Sequence, residues 1–227
     1  MPAVVKSVNM VKTPRQQRSR DSLERILKAA ETIIGSKGHE ALTIAEVVRR
    51  SDTSVGTVYA RFPDKEALLH AVHERVIMRD LEDFREQVAT IDWKSLSLQE
   101  AIARLAAIKR AKAEGMERLY EAFVVHGATD PVLRAEGYRV KGLNEDLEVE
   151  ILMGHADEIG HDDPQEAIRI ASRIWQAARE EMVQRSKSGV PGPGGVPQDI
   201  LMDKLDQVII AYLKDTSRIC EENGSLP

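Results

Sequence analysis

Apolar residues recur at helical spacing along most of the chain, and each run is bounded by a capping or breaking signal. Leu23, Ile26, Leu27, Ala30, Ile33 and Ile34 define a first helix, and Gly38 follows where a left-handed residue is wanted. Thr43 and Glu46 form a capping box that opens a short second helix ending near Ser51. After Asp52 and Thr53, Ser54 caps a third short helix through Tyr59. Pro63-Asp64 then halts the chain and lets Asp64 cap a long fourth helix carrying Leu68, Val72, Leu81, Phe84 and Val88. Ser97 and Glu100 form a second capping box, for a helix with Ile102, Leu105 and Ile108 inward and an end near Gly115. Further helices are predicted from about Glu117 to His126 and from Pro131 to near Asp157. A third, from Pro164, has Ile168, Ala171, Ile174, Trp175, Ala178 and Met182 on one side. Ser188 to Pro197 is a loop by its glycines and prolines. The last helix, about Asp199 to Glu222, shows Leu201, Leu205, Val208, Ile209, Tyr212 and Leu213 as an apolar stripe. No run reads as a strand, so the expected fold class is all-α.

Composition adds that 42% of the 227 residues are hydrophobic and 30% charged, as in a folded globular protein rather than a disordered tail. The single cysteine, Cys220, cannot close an intramolecular disulfide, and no run approaches the length of a membrane span. The expected setting is the cytoplasm. A net charge of -5 argues against a nucleic-acid partner when taken whole, but its distribution reverses that reading. Residues 1–65 hold 12 Lys and Arg against 7 Asp and Glu, so a balance of +5 in the first part leaves -10 in the rest. Residues 1–20 contain five cations and no acid and read as a basic flexible arm. The expected division is thus an arm at 1–20, a basic head at 21–66 and an acidic body at 67–227.

Two short helices joined by a tight turn are the helix-turn-helix geometry, whose second helix enters the DNA major groove. Val55 and Thr57 suit contact with a thymine methyl, Thr57 can also hydrogen-bond, and Gly56 removes bulk so that the backbone can approach. Thr43, Ser54, Tyr59, Arg61 and Lys65 surround them with hydroxyls or charge suited to phosphate, as are the exposed amides that open the second and fourth helices.

The residues Thr43-Ile44-Ala45-Glu46-Val47-Val48, Thr53-Ser54-Val55-Gly56-Thr57-Val58-Tyr59 and Phe62-Pro63-Asp64-Lys65-Glu66-Ala67-Leu68 closely resemble the DNA-binding domain of the TetR family of bacterial regulators. The resemblance covers roughly residues 23–72. It implies phosphate contacts by Thr43, Tyr59 and Lys65, base reading at Val55 to Thr57, and a fourth helix joining the head to a dimerising ligand domain. Asp52 stands where that family usually has a turn glycine, a position that Asp tolerates better than most residues.

A helix-turn-helix dimer must set its recognition helices about one DNA turn apart. The two C-terminal helices, with Ile174, Trp175, Leu201, Leu205, Val208 and Tyr212, are the expected homodimer face. The helices between Leu81 and Met182 are left to enclose a small-molecule pocket, with Phe84, Met116, Tyr120, Phe123, Met153, Trp175 and Arg179 as candidate lining. With aromatics at only 4%, an aliphatic or mixed pocket is expected rather than an aromatic cage for flat cations. These expectations make the chain a ligand-responsive repressor, bound as a dimer to an inverted-repeat operator in double-stranded DNA and released by an inducer, with no cofactor and no membrane partner. Two other classes compete. One is a helical effector or protein-interaction module without DNA binding. The other is a metal-dependent enzyme using His126, His155 and His161, which their spacing does not support: His155 and Asp157 point in different directions on a helix, and Asp162-Asp163-Pro164 reads as a helix cap.

Overall fold

The computed structural model describes residues 14–113, 116–188 and 198–215, and all of its regular elements among them are helical. In chain order they are α1 (Pro14–Lys37), α2 (Ile44–Ser51), α3 (Val55–Tyr59), α4 (Lys65–Ala89), α5 (Leu98–Ala113), α6 (Glu117–Thr129), α7 (Pro131–Leu152), α8 (Pro164–Ser188) and α9 (Gln198–Lys214), with short 3-10 turns at His39–Ala41, Trp93–Ser95 and Met153–Glu158. Residues 1–13 of the expected arm, the helix end at Gly115, most of the 188–197 loop, Cys220 and the expected helical residues 216–222 lie outside the described residues. The contacts divide the chain into two compact units, Met1–Val72 and His73–Pro227, with the boundary inside α4.

In the first unit α1 packs on α2, and α2 on α3. Ile26, Ala30, Ile33 and Ile34 of α1 are fully buried, as are Leu42, Val47 and Val58. The helix starts nine residues ahead of the predicted Leu23, so residues 14–20 of the expected arm are helical. Residues 16–20 are exposed and polar, which leaves no apolar periodicity to mark them. Pro14 in the first turn, helix-favouring Gln and Arg, and a Gln17 side-chain bond to Asp21 of 2.8 Å support this turn. Gly38 leaves α1 at φ 81° while its N–H donates to the Ile34 carbonyl at 2.9 Å, the left-handed ending that its sequence position predicts.

The second unit is a bundle of α5, α6, α7, α8 and α9 with the end of α4, its core including Phe84, Leu98, Leu105, Leu152, Ile168 and Leu213. Its helices start as their caps dictate. The Glu100 carboxylate accepts from the Ser97 N–H at 2.8 Å and from the Ser97 hydroxyl at 2.7 Å, bonds that hold it below its usual range, while the Ser97 hydroxyl accepts from the Glu100 N–H at 3.4 Å. Asp130 accepts from the amides of Val132 and Leu133 with Pro131 behind it, and Asp163 accepts from Glu166 N–H at 2.9 Å. α7 stops at Leu152, short of the predicted Asp157, because the chain tightens into a 3-10 turn in which His155 leaves helical dihedrals. Beyond it, Gly160 donates to the Leu213 carbonyl at 2.8 Å, and a Cβ there would stand 2.4 Å from the Asp215 carbonyl oxygen, so only glycine allows this approach to the end of α9.

Candidate nucleic-acid interface and internal cavity

The Thr43 hydroxyl accepts from the Glu46 N–H at 3.2 Å and so caps α2, but the reciprocal half of the predicted capping box is not made. The Glu46 carboxylate turns instead to Arg49 and Arg50, at 2.7–2.8 Å, and these bonds pull its carboxyl down to about 2. α2 ends in Asp52 at φ 50°, ψ 49°, the left-handed turn that brings Ser54 into position. Arg25 donates to the Ser51 carbonyl at 3.0 Å, tying that turn back to α1.

Ser54 then caps α3 twice over: its hydroxyl accepts from Thr57 N–H at 3.1 Å and pairs with the Thr57 hydroxyl at 2.8 Å. The Thr57 hydroxyl is thus engaged within the helix, leaving its methyl as the group best placed for outward contact. The five residues of α3 divide sharply. Val58 is fully buried and anchors the helix, while Val55 and Tyr59 are each 52% exposed. Gly56 is exposed between them, and a Cβ there would meet only the Ser54 hydroxyl, at 3.9 Å. Nothing within the fold requires glycine at this position, although glycine in a helix costs about 1 kcal/mol relative to alanine. Lys65 opens α4, where Asp64 accepts from Ala67 N–H at 2.8 Å.

Arg61 departs from its expected role. Its Nη2 donates to the Ser19 carbonyl at 2.7 Å and to the Ser19 and Ser22 hydroxyls at 2.9 Å, so it ties the α3–α4 turn to α1 rather than projecting as a free phosphate contact.

The second unit encloses a cavity of about 480 Å³ between α4, α6, α7 and α8, with Lys109 of α5 in its wall. Of the candidate lining residues Phe84, Tyr120, Phe123, Trp175 and Arg179 reach it. Met116 and Met153 do not: Met116 lies in the turn before α6, and Met153, 38% exposed, opens the 3-10 turn after α7. The lining is mixed, with aliphatic, polar and charged residues, but aromatic side chains are concentrated in it beyond what their low overall share suggests. The chain has three Phe, four Tyr and two Trp, and five of these, Phe84, Tyr120, Phe123, Tyr138 and Trp175, gather at this cavity. Overall composition says nothing about clustering.

Sequence reasoning missed the charged part of the wall. Lys109 pairs with Glu148 at 2.6 Å, and Glu148, 3% exposed, also accepts from the Ser172 hydroxyl at 2.7 Å. Lys141 pairs with Glu180. The Tyr120 hydroxyl donates to Asp80 at 3.0 Å, and burial together with that neighbouring carboxylate pushes the phenol up to about 12. A signal was available on α7, where Leu133, Val140, Asn144, Glu148 and Leu152 follow one another at steps of seven and four. Two polar residues therefore stand inside an apolar stripe, and both line the cavity.

Trp175 was expected on the dimer face as well as in the pocket. It is 7% exposed, and its indole N–H donates to Asp206 at 3.3 Å, so it belongs to the interior of its own unit. Leu205 and Tyr212 are half-buried against the same core. Ile174, Leu201 and Val208 remain outward, at 41, 41 and 57% exposure.

The three histidines of the enzyme alternative are dispersed. His126 is near the end of α6, His155 in a 3-10 turn with Nδ1 3.5 Å from Glu158, and His161 2.6 Å from the Tyr212 carbonyl. Among the described residues no group of three His, Cys, Asp or Glu could hold a metal ion, and no helix is long and apolar enough to cross a membrane.

The model of bacterial regulatory proteins of the tetR family matches residues 26–72, the segment that forms the first unit's core and turn. The uncharacterized HTH-type transcriptional regulator YvdT of Bacillus subtilis is 34% identical over 62 residues, which is 27% of this chain and 32% of that protein. The uncharacterized HTH-type transcriptional regulator Mb2936c of Mycobacterium bovis is 29% identical over 128 residues, or 56% of this chain and 64% of the relative. The chain therefore spans between about a third and just under two thirds of these curated relatives.

Among solved structures, a putative TetR-family regulator from Mesorhizobium loti superposes with a TM-score of 0.67 at 19% identity, covering 89% of this chain and 98% of that one. FadR of Bacillus subtilis, solved in complex with stearoyl-CoA, gives 0.59 at 15% identity, with 84% and 98% covered. Likeness at such identities is likeness of fold. Residues 26–72 of this chain thus match the tetR family of bacterial regulatory proteins on a helix-turn-helix of matching form, and the all-helical architecture around them has the fold of solved tetR-family regulators.

Proposed function

We propose that this protein is a DNA-binding transcriptional repressor and not an enzyme: a cytoplasmic homodimer that grips an inverted-repeat operator through α2 and α3 and lets go when a small molecule fills the cavity. The outward face of α3 carries this reading. Val55, Gly56 and Tyr59 face outward from a helix pinned from behind by Val58, and the glycine is explained by close approach of a groove wall rather than by the fold. Thr43, Tyr59 and Lys65 would hold phosphates and fix the register, with base reading at Val55 to Thr57. Ser54 contributes by shaping α3, and Arg61 by bracing it.

The second copy is assigned to the exposed apolar residues of α8 and α9, namely Ile170 and Ile174 with Ile200, Leu201 and Val208. They form unpartnered apolar rows on two neighbouring helices, and operator recognition demands a fixed spacing between two heads. Effector action would run along α4, which carries Lys65 at its start and His73, Ile77, Asp80 and Phe84 in the cavity wall. A ligand preferring one setting of that helix shifts the population by its differential affinity.

Selection of bound sequences from a random duplex pool is the primary test. Enrichment of an inverted repeat is expected, whereas no enrichment favours the interaction module without DNA binding. Gly56→Ala should then weaken operator binding at least about tenfold while stabilising the fold by roughly 0.5–1 kcal/mol, a separation that a purely structural glycine would not show. Light scattering should give a dimer, and a monomer at micromolar concentration would overturn that part.

A further inference from the structure

We infer that the cavity takes an organic acid, with a carboxylate held by Arg179 and a planar apolar body lying among the aromatic side chains. This rests on the cavity being the effector site and adds its chemistry.

The charges of the wall carry the inference. The Lys109 ammonium is matched by Glu148, and Lys141 by Glu180. Arg134 is spent on the carbonyls of Gly127 and Ala128, at 2.8 and 2.6 Å. Arg179 has no carboxylate partner among the described residues. Its guanidinium lies over the ring of Tyr120, 4.9 Å from the centroid, and 5.8 Å from that of Trp175. A half-buried guanidinium that meets two π faces and the Tyr120 hydroxyl, but no carboxylate among the described residues, keeps further in-plane N–H donors for an anion of matching fork geometry. The wall as a whole holds four Lys and Arg against three Asp and Glu, a positive excess inside the part of the chain that carries -10.

The aromatic residues do not make a cage for a cation, because that role is already filled: Arg179 covers Tyr120, and the Lys109 ammonium stands 4.5 Å from the centre of the Trp175 ring. What remains for a ligand is the apolar surface of Phe84, Phe123 and Leu133. Asn144, whose buried Oδ1 has no hydrogen-bond partner, would accept from a hydroxyl or N–H carried on the ligand body. A volume of about 480 Å³ suits a body of one or two rings or a medium acyl chain better than a large conjugate.

The test is calorimetric titration of the full chain with benzoate, 3-phenylpropionate, 2-naphthoate and decanoate, each beside its neutral amide and its matching amine. At least one acid is expected to bind, about tenfold or more tighter than its amide and amine. Arg179→Gln should abolish that preference with far-UV circular dichroism and melting temperature little changed, and Arg179→Lys should restore part of it. Binding by none of the acids, a tighter amine, or a preference that survives Arg179→Gln would each overturn the inference. Operator binding read in parallel separates the two levels. An acid that binds with the expected preference but leaves DNA affinity unchanged sinks the effector reading alone, whereas an amine that binds and releases DNA sinks the ligand class alone.

Discussion

The two units handle charge in opposite ways. In the first, the hydrophobic residues close completely behind α1, α2 and α3, and the polar groups that matter are on the outside, where water solvates them until a partner arrives. In the second, ions lie inside: Lys109 and Glu148 border a cavity, and their mutual pairing offsets the cost of removing them from water. A surface that meets a polyanion needs only a rigid support and exposed donors. A chamber that selects a small molecule needs charges already desolvated, so that an unmatched one discriminates strongly. The same difference makes the body the more fragile of the two to charge removal and the head the more fragile to loss of apolar volume.

The largest expected effect breaks the buried pair. Glu148→Ala leaves the Lys109 ammonium unpaired and the Ser172 hydroxyl without its acceptor, and should cost about 3–5 kcal/mol in urea denaturation. Both tryptophans, Trp93 and Trp175, lie in the second unit, so their emission should report this loss directly. A cost under about 1 kcal/mol would remove the proposed contrast.

Next in size is Val58→Ala, which removes two buried methyl groups behind α3 and should cost roughly 2 kcal/mol. Far-UV circular dichroism should then fall before tryptophan emission changes; coincident transitions would show that the units do not melt separately. Arg61→Ala comes third, at about 1–2 kcal/mol, with faster amide exchange confined to residues 14–22 if its role is to tie down α1.

Smaller still, Asp52→Gly should stabilise by up to about 1 kcal/mol, because a left-handed backbone suits glycine better than aspartate. The melting temperature would rise slightly, and a fall would mean that the Asp52 side chain stabilises the turn.

The pH effects close the series. Tyr120 has its pKa raised, so the neutral phenol is the favoured form. Its contribution to stability is full below about 10 and lost as pH rises through about 12, and ultraviolet titration should show Tyr120 as a late phenol, with Tyr212, raised by burial and the neighbouring Glu166, also above the ordinary value. Glu46 is the reverse case in the head. Its depressed pKa gives a contribution present above the ordinary value of 4.5 and lost as pH falls through about 2, readable as the chemical shift of its carboxyl carbon.

Much of the head was legible in advance because its information is local. A capping residue, a left-handed turn and a buried valine lie within a few positions of one another, and their dihedral preferences are nearly independent of the rest of the chain. The exceptions are instructive. The first turns of α1 carry no apolar periodicity, and both they and Arg61 depend on a contact spanning about forty positions. Glu46 had two possible partners of similar reach, the Thr43 amide and two guanidinium groups, and the charged pair prevailed.

In the body, helices and caps were equally readable, but the cavity was not. Tyr120 and Arg179 are nearly sixty residues apart, and nothing near either one signals the other. The retained clue was Asn144 and Glu148 interrupting the stripe of α7, which marks a polar lining without saying what fills the space it borders.

The order of residues by itself determined the all-helical class, where most helices begin, the recognition turn and the split between a basic first part and an acidic remainder, since each follows from backbone preferences or simple counting. Only the tertiary structure decided that five aromatic side chains share one cavity, that Trp175 faces inward, that Arg61 is a brace and that Arg179 meets no carboxylate among the described residues. Those outcomes depend on which side chains meet once helices distant in sequence pack together, and burial then sets the strength of every charge among them.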